Sequence, residues 1–370
     1  MRLFPGAETQ TNAEGEFTLN IDAQAVASSG EQIIIMAEKN SQQWKAFLTS
    51  ELQSGSTVQV QPLTVESSGE ADVYTKLIAE GNADLVSKAD VEVYIDTKAS
   101  SEIRSNSQAA ATFAEALAAE AQARAEFYAN ESAEFSEEQA QQIMDAKIQA
   151  QLQLENQLNA ATSPEEEQEA MQAFMQAIVL AHLDAGVDAE LYAKAKEMSN
   201  RVFVKHSSDI SAEVSSEIRT NAALLTSYAI DAAVQTRMQA EGAVESNIQA
   251  AADAALTLRS DINALTSATK EDIDGAFESY NEAVVAALSQ EFSASSQTIT
   301  GINAQINNNA GAKASLESSL SATLDLQVLA DAYASFYSEV QTIVDETFTS
   351  ASEAEAEFVA DVMILVNLAN

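Results

Sequence analysis

The sequence predicts an α+β protein: a small N-terminal β-sandwich-like domain over residues 1–66, followed by a long, mainly α-helical bundle region over residues 67–370. Three observations predict it. Glycine and proline cluster at the front, where Pro5, Gly6, Gly15, Gly30, Gly55, Pro62, Gly69 and Gly81 precede a long stretch with very few of either. Apolar residues alternate with polar ones in the first part and recur at three- and four-residue spacing in the second. The hydrophobic pool, 46% of the chain, is dominated by alanine with only 6% aromatics. Alanine is the strongest helix former but buries little area, so its helices must pack closely over long lengths.

In the first part, Phe17, Leu19 and Ile21 alternate with Thr18, Asn20 and Asp22, as a half-buried strand requires. Ile33 to Ala37 is a continuous apolar run suited to a central strand. Trp44, Ala46 and Leu48, then Val58 and Val60 before Pro62, supply further candidates separated by Gly and Ser turns. Gly6-Ala7, then Asn12-Ala13-Glu14-Gly15-Glu16-Phe17-Thr18-Leu19, then the Ile33 to Ala37 run, resembles the carboxypeptidase-regulatory-like, transthyretin-like β-sandwich over about residues 3–66. Members of that family carry a complete strand before the Gly-Ala turn, whereas Met1 to Pro5 stands there in this chain. The resemblance implies an accessory module of a secreted or surface protein, serving attachment or spacing and not chemistry.

From about Ser68 onward the pattern predicts helix after helix. Ser163-Pro164-Glu165-Glu166 is a start signal, with serine as N-cap, proline at the first helical position and Glu166 placed to close a capping box. Met171, Phe174, Met175, Ile178 and His182 then share a face, and Gly186 ends the helix. Tyr333, Phe336, Val340, Ile343 and Thr347 form a similar stripe. Ser100 to Asn106 recurs as Ser215 to Asn221 with one conservative change, and Thr112 to Ala116 aligns at the same offset with Ser227 to Asp231. This suggests a duplicated helical unit, about 85–199 and 200–314, with chance similarity in a biased composition as the alternative.

Charge bounds the partners. The 57 acidic and 18 basic residues give a formal charge of −39, which argues against nucleic acid or an anionic membrane surface. It suits a salty or calcium-rich extracellular setting, or a surface that stays soluble in brine. No cysteine is present, so disulfides and thiolate chemistry are excluded. No stretch of about 20 apolar residues is available to span a bilayer, and Met1 to Gly6 lacks a signal-peptide core; if exported, the chain is a mature form or fragment.

Catalytic signals are sparse. His182 falls on an apolar stripe, which favours a core or cap role, and His206 reads as a solvated helical residue. Neither a Gly-x-Ser-x-Gly elbow nor a phosphate-binding glycine loop occurs, and carboxylates are too abundant for any pair to be informative. Asp272-Ile273-Asp274-Gly275 matches part of a calcium loop, but Lys270 and Asn281 would occupy its first and last ligand positions, so Thr269 capping through Asp272 explains it better. Weak calcium binding on Glu165 to Glu167 stays open; no cofactor or metal site is expected. Asn130-Glu131-Ser132 is a glycosylation sequon of the kind that arises by chance.

The segment Val362 to Leu368 is the most hydrophobic of the chain. It either continues a helix from Glu353 and docks on the bundle or, through Val362, Ile364, Val366 and Leu368, forms an extended strand. A strand there would complete the incomplete β domain of a neighbouring molecule, whose own strand carries Phe17, Leu19 and Ile21, a head-to-tail contact that propagates as a fibre. The expected function is therefore a non-enzymatic extracellular structural protein, a filament or appendage subunit whose partner is itself. A monomeric surface adhesin or ligand-binding stalk is the alternative.

Overall fold

A computed structural model describes residues 7–13, 15–21, 33–48, 57–58, 60–133, 135–208, 210–265, 267–292, 296–308, 310–323, 325–348 and 353–368. Met1 to Gly6 and Asp22, used in the sequence argument, lie outside the described residues.

Two of the expected strands form. β1 (Ile34–Lys39) pairs antiparallel with β2 (Gln42–Phe47), Ile34 opposite Phe47 and Lys39 opposite Gln42. Between them Asn40 and Ser41 both take left-handed backbone, φ 54° and 65°. That is the two-residue type I′ geometry whose twist matches paired strands.

Among the described residues the sheet has these two strands alone. The β-sandwich-like domain expected over residues 1–66 is therefore not formed, and the resemblance to the carboxypeptidase-regulatory-like module is overturned. The physical reason lies in what covers the hairpin. A sandwich buries one sheet against another. Here a helix does this, with Phe47 packed against Tyr74 at a ring-centroid distance of 5.5 Å, and Ala46, Phe47 and Leu48 all buried. Phe17, Leu19 and Ile21 alternate in burial with Thr18 and Asn20, as expected, but belong to no strand, and neither do Val58 and Val60.

Fourteen helices follow among the described residues: α1 (Val65–Glu80), α2 (Lys88–Tyr94), α3 (Thr97–Ser105), α4 (Ser107–Asn130), α5 (Glu137–Ala160), α6 (Pro164–Asp184), α7 (Ala189–His206), α8 (Ala212–Ala240), α9 (Glu245–Ala264), α10 (Lys270–Glu291), α11 (Ser296–Ile306), α12 (Ala312–Ala322), α13 (Leu326–Thr347) and α14 (Glu353–Leu368). Their starts are written locally. Thr64 with Ser67, Ser87 with Asp90, Ser136 with Gln139 and Thr269 with Asp272 form reciprocal capping boxes, each satisfying two orphan N–H groups. At α6 the expected box is displaced by one residue. Ser163 Oγ accepts from Glu166 N at 3.3 Å, but the Glu166 carboxylate accepts from Thr162 N and Oγ1, at 2.6 and 2.9 Å. Gly186, at φ 81°, ends α6 as expected.

α4 packs on α7, α7 on α8, α5 on α6 and α9 on α10, and α8 also meets α6 and α14. One continuous core runs from Phe47 of β2 to Leu368 of α14. α1 crosses α3 so closely that a Cβ on Gly69 would lie 2.6 Å from Ser100 Cα. The two matched heptapeptides differ in structure: Ser100 to Ser105 end α3 and Asn106 caps α4 from Gln108 N at 3.0 Å, while Ser215 to Asn221 run uninterrupted inside α8. The division at residues 199 and 200 falls within α7.

Candidate functional site

The residues nominated for assembly fall into two unlike environments. Val362, Ile364, Val366 and Leu368 lie on α14, a helix and not a strand, and all four are buried together with Met363 and Leu365 between them. A helix apolar on every side is a core helix. Polar contacts fix it further. Asn367 Oδ1 accepts from Asn281 Nδ2 at 2.7 Å and Asn307 Nδ2 at 2.6 Å, its own Nδ2 donates to Asn303 Oδ1 at 3.1 Å, and Arg201 Nη2 donates to the Leu368 carbonyl at 2.9 Å. Phe17, Leu19 and Ile21 are half-buried and stand outside the core cluster that holds α14.

The hairpin has two unequal edges. In an antiparallel pair, residues of a non-hydrogen-bonded pair turn their N–H and C=O away from the partner strand. On β2 these outward groups are taken by the helical body: Lys45 N donates to Ser68 Oγ at 2.9 Å, Ser67 Oγ donates to Lys45 O at 2.7 Å, and Arg104 Nη2 donates to Gln43 O at 2.7 Å. Lys88 Nζ donates to the Leu48 carbonyl and lies 5.2 Å from the Phe47 ring centroid. Its partners across the ladder, Met36 and Glu38 on β1, point the other way, and no hydrogen bond to their outward backbone groups is present among the described residues. Met36 is 43% exposed.

The helical body holds a buried ionic network. Glu120 accepts from Lys196 Nζ at 2.8 Å, from Ser199 Oγ at 2.9 Å and from Arg124 Nη1 at 3.0 Å. Lys196 also donates to Tyr94 Oη at 3.0 Å, Tyr94 donates to Asn200, and Asn200 Nδ2 donates to Thr226 Oγ1 at 2.9 Å. Lys147 Nζ donates to Asp90 at 2.9 Å. Burial alone would raise the Asp90 carboxyl, but Lys147, Arg124 and Lys196 outweigh it and hold it far below the usual range. Glu120 is lowered in the same way, with Arg124 and Lys196 overcoming burial. A second group joins Glu197 to Arg201 and Tyr333, with Glu317 accepting from Arg201 Nη1 at 2.6 Å. These groups satisfy one another; what they can do is fix helix register.

A third cluster is uncompensated. Glu70 accepts from Gln61 Nε2 at 2.9 Å and Glu92 from Gln151 Nε2 at 2.6 Å, while the second oxygen of Glu92 is buried without a partner. Burial, then Glu66, pushes Glu70 well above the ordinary carboxylate range. Burial, then Glu70, does the same to Glu92. Glu66 is raised to about 7 by burial, with Asp96 and Glu167 adding to it against the Thr97 hydrogen bond.

His182 is buried, with Nδ1 2.9 Å from Ile178 O and its ring stacked on Tyr192 at 4.4 Å, and burial, then Lys147 and Arg124, lowers its pKa. His206 ends α7 half-buried rather than solvated. Asp272 Oδ2 accepts from Thr269 N and Oγ1 at 3.1 and 2.8 Å, the cap expected there. Glu165 to Glu167 are exposed in the first turn of α6, and among the described residues no three acidic or histidine side chains are arranged to hold a metal ion. The sequon residues Asn130, Glu131 and Ser132 are exposed where α4 ends. A shallow concavity lined by Gln305, Asn308, Ser338, Glu339 and Thr342 shares no residue with the ionic network. Among the described residues no helix is long and apolar enough to cross a membrane. No protein-family model, curated protein or solved structure matches the chain.

The ionic network was not foreseen from the sequence. Its signal was there: Tyr192, Lys196, Ser199 and Phe203 follow the four-and-three spacing of a buried stripe on α7, with a lysine in it. The unequal hairpin edges depend on Ser67, Ser68 and Arg104, distant in sequence from β2, and had no local signature.

Proposed function

We propose that this chain is a non-catalytic structural protein of an extracellular or cell-surface setting, whose helical body presents the hairpin as a joint to further copies of itself. The observation that carries this is the hairpin's asymmetry: side chains of α1 and α3 seal the β2 edge, while the outward backbone groups of β1 have no hydrogen-bond partner among the described residues. An unpaired strand edge is a template for another strand. The charge of −39 keeps such a body apart from other polyanions and soluble in salt. The ionic groups around Glu120 and Glu197, whose members satisfy one another, suit a rigid unit.

A monomeric adhesin that takes an extended peptide on the same edge is the second possibility. Light scattering across a concentration series, with negative-stain electron microscopy in low salt, high salt and calcium, separates the two. Concentration-dependent growth into regular assemblies is the expected result; a constant monomer mass under every condition rejects self-assembly.

A further inference from the structure

We infer that the free edge of β1 is filled by residues 16–21 of a second copy of this chain, an inference that rests on the self-assembling role proposed above. The acceptor is defined by the ladder. Met36 and Glu38 direct their N–H and C=O groups away from β2, and β1 offers six residues, Ile34–Lys39. Its side chains sort by face. Ile35, Ala37 and Lys39 share one with Gln42, Trp44 and Ala46, while Ile34, Met36 and Glu38 share the other with Gln43, Lys45 and Phe47.

The donor matches on each count. Residues 16–21 leave a closed turn in which Asn12 N donates to Glu16 O at 2.8 Å, Glu16 N donates to Asn12 Oδ1 at 2.8 Å, and Gly15 sits at φ 88°. That turn fixes the direction in which the segment departs. Phe17, Leu19 and Ile21 are half-buried, Thr18 and Asn20 exposed. Laid beside β1, the three apolar residues would extend the face of Ile35, Ala37, Trp44 and Ala46, with Thr18 and Asn20 beside the outward-turned Met36 and Glu38. A shift by one residue would move the three apolar residues off that face.

Two observations point to a second copy. In the single chain residues 17–21 belong to no ladder among the described residues. The other nominated strand, Val362 to Leu368, is held in α14 within the core and is not available as a donor. A donor on one face of the molecule and an acceptor on another make a contact that repeats without closing.

The chain has no cysteine, so a cross-link can be placed without ambiguity. Ala37 turns its backbone groups toward β2 and would therefore form a non-hydrogen-bonded pair with the incoming strand, Cα atoms about 4.5 Å apart and within disulfide reach. Full-length Leu19→Cys protein is mixed with Ala37→Cys protein under mild oxidation, with the exposed Glu138→Cys on α5 replacing Ala37→Cys as control. The mixed disulfide should form at least about tenfold faster than the control, because pairing raises the effective concentration of the two thiols. Equal rates overturn the inference. So does an internal disulfide in the doubly substituted chain with no cross-link in the mixture, which would place the pairing within one molecule. Thr18→Pro, with helical content unchanged by circular dichroism, should weaken self-association about tenfold by removing a ladder donor, since Thr18 would fall in a hydrogen-bonded pair next to the non-hydrogen-bonded pair of Leu19 and Ala37. If association is undiminished, the assembling role stands and this strand is wrong; if the unaltered protein stays monomeric at every concentration, both fail.

Discussion

Residues 17–21 and 362–368 carry the same period-two alternation of large apolar side chains and end in opposite states. The first is half-buried in its apolar residues and belongs to no helix or strand among the described residues; the second is a helix in the core. What separates them is the set of intervening residues. Thr18 and Asn20 are polar, so the alternation distinguishes two faces. Met363 and Leu365 are as apolar as their neighbours, so the second stretch has no polar face and its period is an accident of uniform hydrophobicity. Such a segment is stable only where every side is covered, and a helix covers its own backbone groups while doing so.

The largest effect expected from this contrast is at Val362. Val362→Asp places an unpaired carboxylate among Phe358, Val359 and Val366 and should cost about 3–5 kcal/mol, read as a shifted midpoint in urea denaturation followed by circular dichroism. A change below about 1 kcal/mol would mean that α14 can leave the core, and the distinction between the two segments would collapse. By the same reasoning, deleting residues 359–370 should loosen the whole helical body, and loss of assembly in that truncation would say nothing about strand exchange.

The next largest divides committed from exposed charge. Lys147→Ala leaves Asp90 buried, with only Ser87 and more distant cations to hold it, and should destabilise by about 3 kcal/mol. Lys98→Ala removes an ion pair to Glu217 at an exposed lysine, and should cost less than about 1 kcal/mol. Comparable losses from the two, in the same denaturation assay, would show that the buried network is not what fixes the helices.

Much of the fold is legible because its signals are local. Ser, Thr and Asp caps, the Pro164 start, the Gly186 stop and the apolar stripes on α6 and α13 each involve residues within one turn of one another. Even there the α13 stripe was one residue off: Val344 is buried where Ile343 was expected to be. The covering layer was not legible. Alternation at Trp44, Ala46 and Leu48 reports that a face is buried and is silent on whether a sheet or a helix buries it, while Phe47, on the opposite face, is the residue that packs on Tyr74 of α1. The candidate joint was half legible: Phe17, Leu19 and Ile21 were marked by their pattern, while their acceptor depends on side chains of α1 and α3 closing the opposite edge.

A smaller effect follows from the uncompensated carboxyls. Glu66, Glu70 and Glu92 hold their protons in the folded state above the ordinary carboxylate range, so the folded protein binds more protons than the unfolded chain between pH about 4.5 and, for Glu66, about 7. Their contribution to stability is complete below the unfolded value and is lost as pH rises through the folded one. Stability should therefore decline across that window, by up to about 1.4 kcal/mol per pH unit for each proton retained. Glu66→Gln should flatten the decline. His182, whose pKa burial lowers, acts in the opposite sense below about 6.5, so the substitution and not the total slope decides: a slope untouched by Glu66→Gln would place Glu66 in ionised form.

The smallest expected effect is the counterpart of the largest. Leu19→Asp makes on the first segment the kind of change that Val362→Asp makes on α14, yet should alter folding stability by less than about 0.5 kcal/mol, since Leu19 is half-buried and outside the core cluster. The pair of variants thus tests the contrast in one assay. If Leu19→Asp costs as much as Val362→Asp, residues 17–21 are structural to the body and cannot be free to pair elsewhere. If its cost is negligible while light scattering shows weaker self-association, the side chain contributes between molecules and not within one, as a segment whose burial is left incomplete in the single chain should.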